Sequence, residues 1–182
     1  MSHTPTSPSE SSLREAERFR QGLLDVDFAS PDDIVGCTDE EISRVSAVAT
    51  FPLPDEYLAF LKVLGRRAGT FFPGTSIYFP EPLDVFGCAE DIAGEPGEDL
   101  TLENRFFFAH HQGYRVFFFE RGRPEVFIYQ EGHPGEIQKL GETFLSWLWS
   151  VLERSQALRE DSKRLRAETE EKRAQMRAEG KL

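Results

Sequence analysis

Between Arg105 and Tyr129 the chain reads RFFFAHHQGYRVFFFERGRPEVFIY, three short aromatic and β-branched blocks separated by breaks containing Gly or Pro. Each block is too short for a helix and rich in strand-favouring side chains. The connections around Gln112-Gly113 and Gly122-Arg123-Pro124 are of turn length, so the stretch predicts a three-stranded antiparallel meander. Strand geometry then constrains everything around it. Successive side chains point to opposite faces, so Phe106 and Phe108 are expected on one face with Phe107 and Ala109 on the other. Likewise Phe117 and Phe119 oppose Val116 and Phe118. Both faces are apolar, so each must be covered by helices of this chain or by a partner.

Helices are available to do this. Residues 1–11 are rich in Ser, Thr and Pro and are expected to be disordered. Ser12-Leu13-Arg14-Glu15 has the form of a capping box, followed by Leu13, Ala16, Phe19, Leu23 and Leu24 on one helical face. Thr38-Asp39-Glu40-Glu41 offers a second box, with Ile42, Val45 and Val48 at helical spacing. Leu53-Pro54-Asp55-Glu56-Tyr57 opens a third helix that directs Tyr57, Leu58, Leu61 and Leu64 inward, with Gly65 as its C-cap. Residues 69–80 suggest a hairpin or edge strands, and Cys88 to Ile92 a short helix or strand before an exposed acidic loop, Gly94 to Asp99. A last helix begins near Gly141 and carries Phe144, Leu145, Leu148, Val151 and Leu152 as its apolar stripe, with Trp147 and Trp149 on the shoulders.

Beyond the stripe the composition changes. Residues 156–182 are mostly Arg, Lys, Glu, Ala and Gln, with Glu160/Arg164 and Glu168/Lys172 spaced to support a helix. As a coiled coil the seam would place Val151, Leu158, Leu165 and Lys172 at one position and Ser155, Ser162, Thr169 and Met176 at the other. Half of that seam is polar, which predicts a frayed, solvated extension over a stable coiled coil. The domain expectation is therefore a disordered start (1–11), one α+β domain (12–152) and a charged helical tail (153–182).

Charge and cysteines narrow the function. The formal net charge is −11, and the tail from Glu153 holds 9 Lys or Arg against 7 Asp or Glu, leaving 12 against 25 in the body. So acidic a body has no basic face with which to neutralise phosphates, so direct nucleic-acid binding is not expected, whereas a basic partner is. Cys37 and Cys88 are isolated and read as ordinary thiols, not a disulfide framework. No stretch approaches the length of a membrane span and no signal-like segment opens the chain, so a cytoplasmic protein without membrane association is expected.

Catalytic chemistry finds little support. His110 and His111 are adjacent, with Cys88, Glu131 and His133 as conceivable companions. Neighbouring strand residues face opposite ways, however, and no metal-ligand spacing accompanies them. There is no phosphate-binding loop, dinucleotide fingerprint or nucleophile elbow. No enzyme, cofactor or metal site is expected.

The order of the pieces points further. A Thr-x-x-Glu-capped helix, Leu53-Pro54-Asp55-Glu56-Tyr57 with Phe60-Leu61, the FFFAHHQGY block, Pro124 to Tyr129 and Glu142-Thr143-Phe144-Leu145-Ser146-Trp147-Leu148 together resemble the SUKH superfamily, in its cell wall assembly regulator branch, over roughly residues 34–152. Where many relatives carry a Gly-Gly pair, this chain has Gly65-Arg66-Arg67-Ala68-Gly69, and the tail lies outside the pattern. The resemblance implies an α+β fold whose mainly antiparallel sheet packs against helices from both ends of the sequence. It also implies a non-catalytic binding role: bacterial members look like immunity proteins that neutralise a cognate polymorphic toxin, and fungal members like regulatory hubs. An acidic inhibitor of a basic nuclease toxin fits the charge, and a regulatory or scaffolding domain is the alternative. The partner-binding residues expected are His110, His111, Tyr114, Tyr129 and Glu131, with Glu95, Glu98 and Asp99 of the acidic loop.

Overall fold

The computed structural model describes residues 7–178. Most of the disordered start expected over 1–11 lies outside the described residues, but Glu10 and Ser11 are already helical. The first helix, α1 (Glu10–Asp25), is capped by Ser9, whose hydroxyl accepts from the Ser12 amide at 3.2 Å. The capping box expected at Ser12 is thus displaced by one turn, and the reason is tertiary. The Ser9 amide donates to both carboxylate oxygens of Asp55, at 3.0 and 3.1 Å, fixing the entry of α1 beside the third helix. The buried residues Ala16, Phe19 and Leu23 then face that helix.

The second helix, α2 (Asp39–Val48), starts as expected: Thr38 Oγ1 accepts from the Glu41 amide and Glu41 returns a carboxylate to the Thr38 amide at 2.9 Å. Ile42 and Val45 are buried, but Val48 is exposed. The helix α3 (Asp55–Leu64) buries Tyr57, Leu58, Ala59, Phe60, Leu61 and Leu64 and ends at Gly65. Two-residue strands β1 (Ile34–Val35) and β2 (Arg67–Ala68) pair antiparallel beside it.

The meander forms the centre of a five-stranded antiparallel sheet ordered β3 (Thr75–Ser76), β4 (Arg105–His111), β5 (Arg115–Glu120), β6 (Val126–Gln130), β7 (Gln138–Gly141). One correction to the strict alternation follows from its register. Phe107 pairs with Phe118 but Ala109 with Phe117, so Phe108 and Ala109 together oppose one residue in a β-bulge. Ala109 therefore joins the face of Phe108 and Phe117, and His110, paired with Val116, passes to the opposite face.

Each apolar face is covered from within the chain. Over one lie α3 and the first residues of α5 (Phe144–Ala178): Tyr57 contacts Phe106, Phe108 and Phe119 at ring-centroid distances of 6.0, 5.5 and 5.3 Å. Phe144 and Trp147 close the same cluster. Trp147 is 1% exposed, so it belongs to the core and not to a shoulder of the helix. Over the other face lies α4 (Val85–Gly94), a helix whose Val85, Ala89 and Ile92 recur at helical spacing and pack on Phe107, Val116, Phe118, Phe127 and Tyr129. This is the expected α+β fold, with helices from both ends of the body on one face of the antiparallel sheet and α4, from its middle, on the other.

The chain divides into a body, Met1–Leu148, and a tail, Trp149–Leu182. Within the tail α5 continues to Ala178 with Leu158, Leu165 and Met176 exposed. Arg164 pairs with Asp161 at 2.9 Å, three residues earlier.

Candidate partner-binding surface

Burial of both sheet faces takes the meander's aromatic rings out of reach of a partner, which leaves the turns. At the end of the sheet where β4 turns into β5, His111, Gln112, Gly113 and Tyr114 form a tight turn with Gln112 and Gly113 at φ 51° and 82°, and the Tyr114 amide donates to the His111 carbonyl. Positive φ at both central positions suits the twist of flanking strands, which is why Gly follows Gln here. The Glu131 amide donates to the Tyr114 carbonyl at 2.9 Å, so the turn after β6 lies alongside. Cys88 of α4 reaches the Gly113 carbonyl at 3.4 Å. Three segments distant in sequence thus share one rim.

The acidic loop joins them through a buried phenol. Tyr129 is 1% exposed, its ring part of the core under α4. Its hydroxyl donates to Glu98 Oε2 at 2.5 Å, lies 3.0 Å from Asp99 Oδ1, the alternative acceptor of the same proton, and accepts from the Asp99 amide at 3.3 Å. The carboxylates reach on to the neighbouring turn: Glu98 Oε1 accepts from the Gly132 amide at 2.6 Å and Asp99 Oδ1 from the Gly135 amide at 2.9 Å. The Gly135 and Tyr129 hydrogen bonds hold the Asp99 carboxyl below the ordinary carboxylate range. Burial, reinforced by the bond to Glu98, pushes the Tyr129 phenol up. Tyr129 thus acts from beneath the rim, positioning an exposed Asp99 and a half-buried Glu98.

The remaining expected residues spread along the same rim. His111 Nδ1 meets Thr75 Oγ1 at 2.8 Å on the edge strand, and its ring packs edge-on against Tyr114 at 5.9 Å. His110 is half-buried on the α4 side, and its Nδ1 has no hydrogen-bond partner among the described residues. Glu95 and Glu131 are exposed. Burial and the charges of Asp91 and Glu131 raise the Cys88 thiol, which keeps it protonated and a poor nucleophile. Among the described residues no group of three or more His, Cys, Asp or Glu is placed to hold a metal ion, and no helix is long and apolar enough to cross a membrane.

Electrostatics separates this rim from the opposite end of the sheet. There Arg105, Glu120, Arg123 and Glu125 are linked in a chain of ion pairs at 2.9–3.2 Å. Among the described residues Asp91, Glu95, Glu98, Asp99 and Glu131 form no ion pair, so the rim keeps its negative charge. Bordering the rim is a cleft of about 380 Å³ that includes Arg115, Ile128, Gln130 and His133. There Arg115 donates to Gln130 at 2.6 Å.

At the far end of the sheet a groove of about 460 Å³ is bordered by Val48, Phe86 and Arg121, whose side chains come from α2, α4 and the turn after β5. Phe86 and Val48 are 46% and 52% exposed, and only the fold brings them together.

Comparison with known proteins agrees with this architecture. A family model described as the SMI1 / KNR4 family (SUKH-1) matches residues 36–150, a span from just before α2 into α5. No curated protein and no solved structure matches the chain.

Proposed function

This chain belongs to the SMI1 / KNR4 family (SUKH-1), and from that premise we propose that it is a non-catalytic, cytoplasmic immunity protein that binds and neutralises a cognate bacterial toxin. The observation that carries this reading is the rim itself: five carboxylates without ion-pair partners among the described residues, two of them fixed by Tyr129 and by the amides of Gly132 and Gly135. Positioned acids of this kind match a partner with a basic surface, such as a nuclease that must hold phosphate. They would raise the association rate roughly ten- to a thousandfold at low salt. Pre-positioning lowers the ordering cost on binding, because the loop is tied down before the partner arrives.

Inhibition then requires only occlusion. A domain seated over the toxin's phosphate-binding surface excludes substrate without any bond being made or broken, which accords with a raised, protonated Cys88 and histidines dispersed along the rim. The test is co-expression with the toxin encoded beside it. Protection of the cell and recovery of a stoichiometric complex are expected, and toxicity unchanged with no complex recovered would reject the reading.

A further inference from the structure

We propose that the tail is a weak, parallel self-association element whose occupant is the same helix of a second copy of this chain. Three of the large apolar side chains exposed on the molecule lie here, Leu158, Leu165 and Met176, at 68%, 59% and 42% exposure. At about 100° per residue, Leu165 and Met176 fall within about 20° of Leu158 around the helix axis. The exposed apolar groups therefore form one line along a helix that is otherwise charged. Ser162, Thr169 and Lys172 fall within about 40° of the same line and complete a seam.

The charges beside the seam choose the partner and its direction. Arg159, Arg166 and Arg173 lie about 60–100° to one side, while Asp161 and Glu168 lie about 60–80° to the other. When two helices pair in parallel, the flank of one meets the opposite flank of its mate, residue i against residue i+5. A second copy then sets Asp161 against the partner's Arg166 and Glu168 against the partner's Arg173, each pair formed twice. Antiparallel pairing would instead set Arg against Arg and acid against acid. By the same rule Arg154 meets the partner's Arg159 and weakens the start of the seam, but from Asp161 to Arg173 the pattern is complementary to itself in the parallel orientation only.

The polar seam positions set the strength. Thr169 already donates its hydroxyl to the Leu165 carbonyl at 2.7 Å, so its entry into the seam leaves no unpaired donor. Asp161 is bonded to Arg164, in a pair with both side chains more than half exposed, and that contact is readily shared. Lys172 and Ser162 still weaken the contact, so the dimer should be concentration- and salt-dependent. The proposal concerns the tail alone and stands whether or not the body binds a toxin.

Sedimentation equilibrium of the full chain at low salt, up to about 1 mM so as to reach weak association, provides the test. The mass should rise from 20.8 kDa toward twice that value, and the double variant Leu158→Lys/Leu165→Lys should stay at 20.8 kDa. These positions are exposed, so the body's folding is not at stake. Arg166→Glu/Arg173→Glu and Asp161→Arg/Glu168→Arg should each be monomeric alone and should dimerise when mixed. Ser162→Cys should form an oxidised dimer at least about tenfold faster than the parent chain, because parallel pairing brings the two thiols together. A full chain that remains at 20.8 kDa, a mixture that does not dimerise, or a Ser162→Cys chain that crosslinks no faster than the parent overturns the proposal.

Discussion

The phenol of Tyr129, buried beneath α4, donates to the carboxylate of Glu98 at 2.5 Å across 31 residues of chain. A second buried phenol provides the contrast: the Tyr57 hydroxyl, at the centre of the other face, has no partner among the described residues. Tyr129→Phe should cost about 1–2 kcal/mol, since it removes a charge-assisted hydrogen bond and frees the acidic loop. Tyr57→Phe should be neutral or stabilising by up to about 1 kcal/mol, since it removes a buried group that gains nothing. Urea unfolding of the two variants measures both. Amide exchange should in addition show Gly132 and Gly135 less protected in Tyr129→Phe alone, and equal effects of the two substitutions would contradict the assignment.

Packing predicts a steep gradient between two phenylalanines. Phe108, fully buried at the bulge, lies within 4.6–6.4 Å of Phe119, Tyr57, Phe144, Trp147 and Phe117, so Phe108→Ala should cost about 3–5 kcal/mol. Phe86→Ala, at a side chain 46% exposed beside the groove, should cost less than about 1.5 kcal/mol. Chemical denaturation that ranked the two alike would mean that the bulge does not place Phe108 in the core.

How much of this was legible in the sequence depended on whether the signal was local. The Thr38 to Glu41 capping box, the helix after Pro54 and the three meander strands are set by neighbours within a few residues, and each formed as expected. The edge strand β3 falls within the 69–80 stretch expected to hold a hairpin or edge strands, though its bounds do not show in the sequence, and β7 carries no such signal. Thr75-Ser76 is two residues long and Gln138-Lys139-Leu140-Gly141 is polar, so only pairing to β4 and β6 makes them strands. The bulge at Phe108 is equally silent, because no glycine or proline in the strand marks the shift of register between Phe107 and Ala109. The rim residues were named one by one in the sequence, but not their relation. A phenol in β6 tying down two acids some 30 residues earlier is a tertiary fact, and so is the negative charge that remains when the opposite end of the sheet neutralises its own.

Acid should loosen the molecule through identified groups. The Arg66 guanidinium and the Thr38 amide hold Glu41 down to about 2, and the bonds from Gly135 and Tyr129 lower Asp99. A carboxyl with a lower pKa folded than unfolded stabilises the fold above its unfolded value, and that contribution is lost as pH falls through the folded value. Stability should therefore be level from pH 8 to about 5 and decline below about 4, where unfolded carboxyls take up protons. Glu41→Gln and Asp99→Asn should each lower Tm at pH 7 and flatten the acid limb. A variant that keeps the parent's full acid limb would show that its carboxyl makes no such contribution.

The acidic rim makes a kinetic prediction about partner binding. Glu95 and Glu131 are exposed and their carboxylates are not among those that tie the loop and turn together, so reversing them alters the field while leaving the Tyr129 latch intact. Against a basic toxin, Glu95→Lys/Glu131→Lys should slow association by about tenfold or more at low salt and weaken its dependence on ionic strength. Dissociation, governed by close packing at the interface centre, should change much less. Stopped-flow mixing at several salt concentrations separates these effects. A control reversal at the opposite end, Glu125→Lys, breaks the pair with Arg123 but should leave the association rate within about twofold. If both reversals slow association alike, net charge and not the rim steers the encounter, and if neither does, the toxin docks elsewhere on the body.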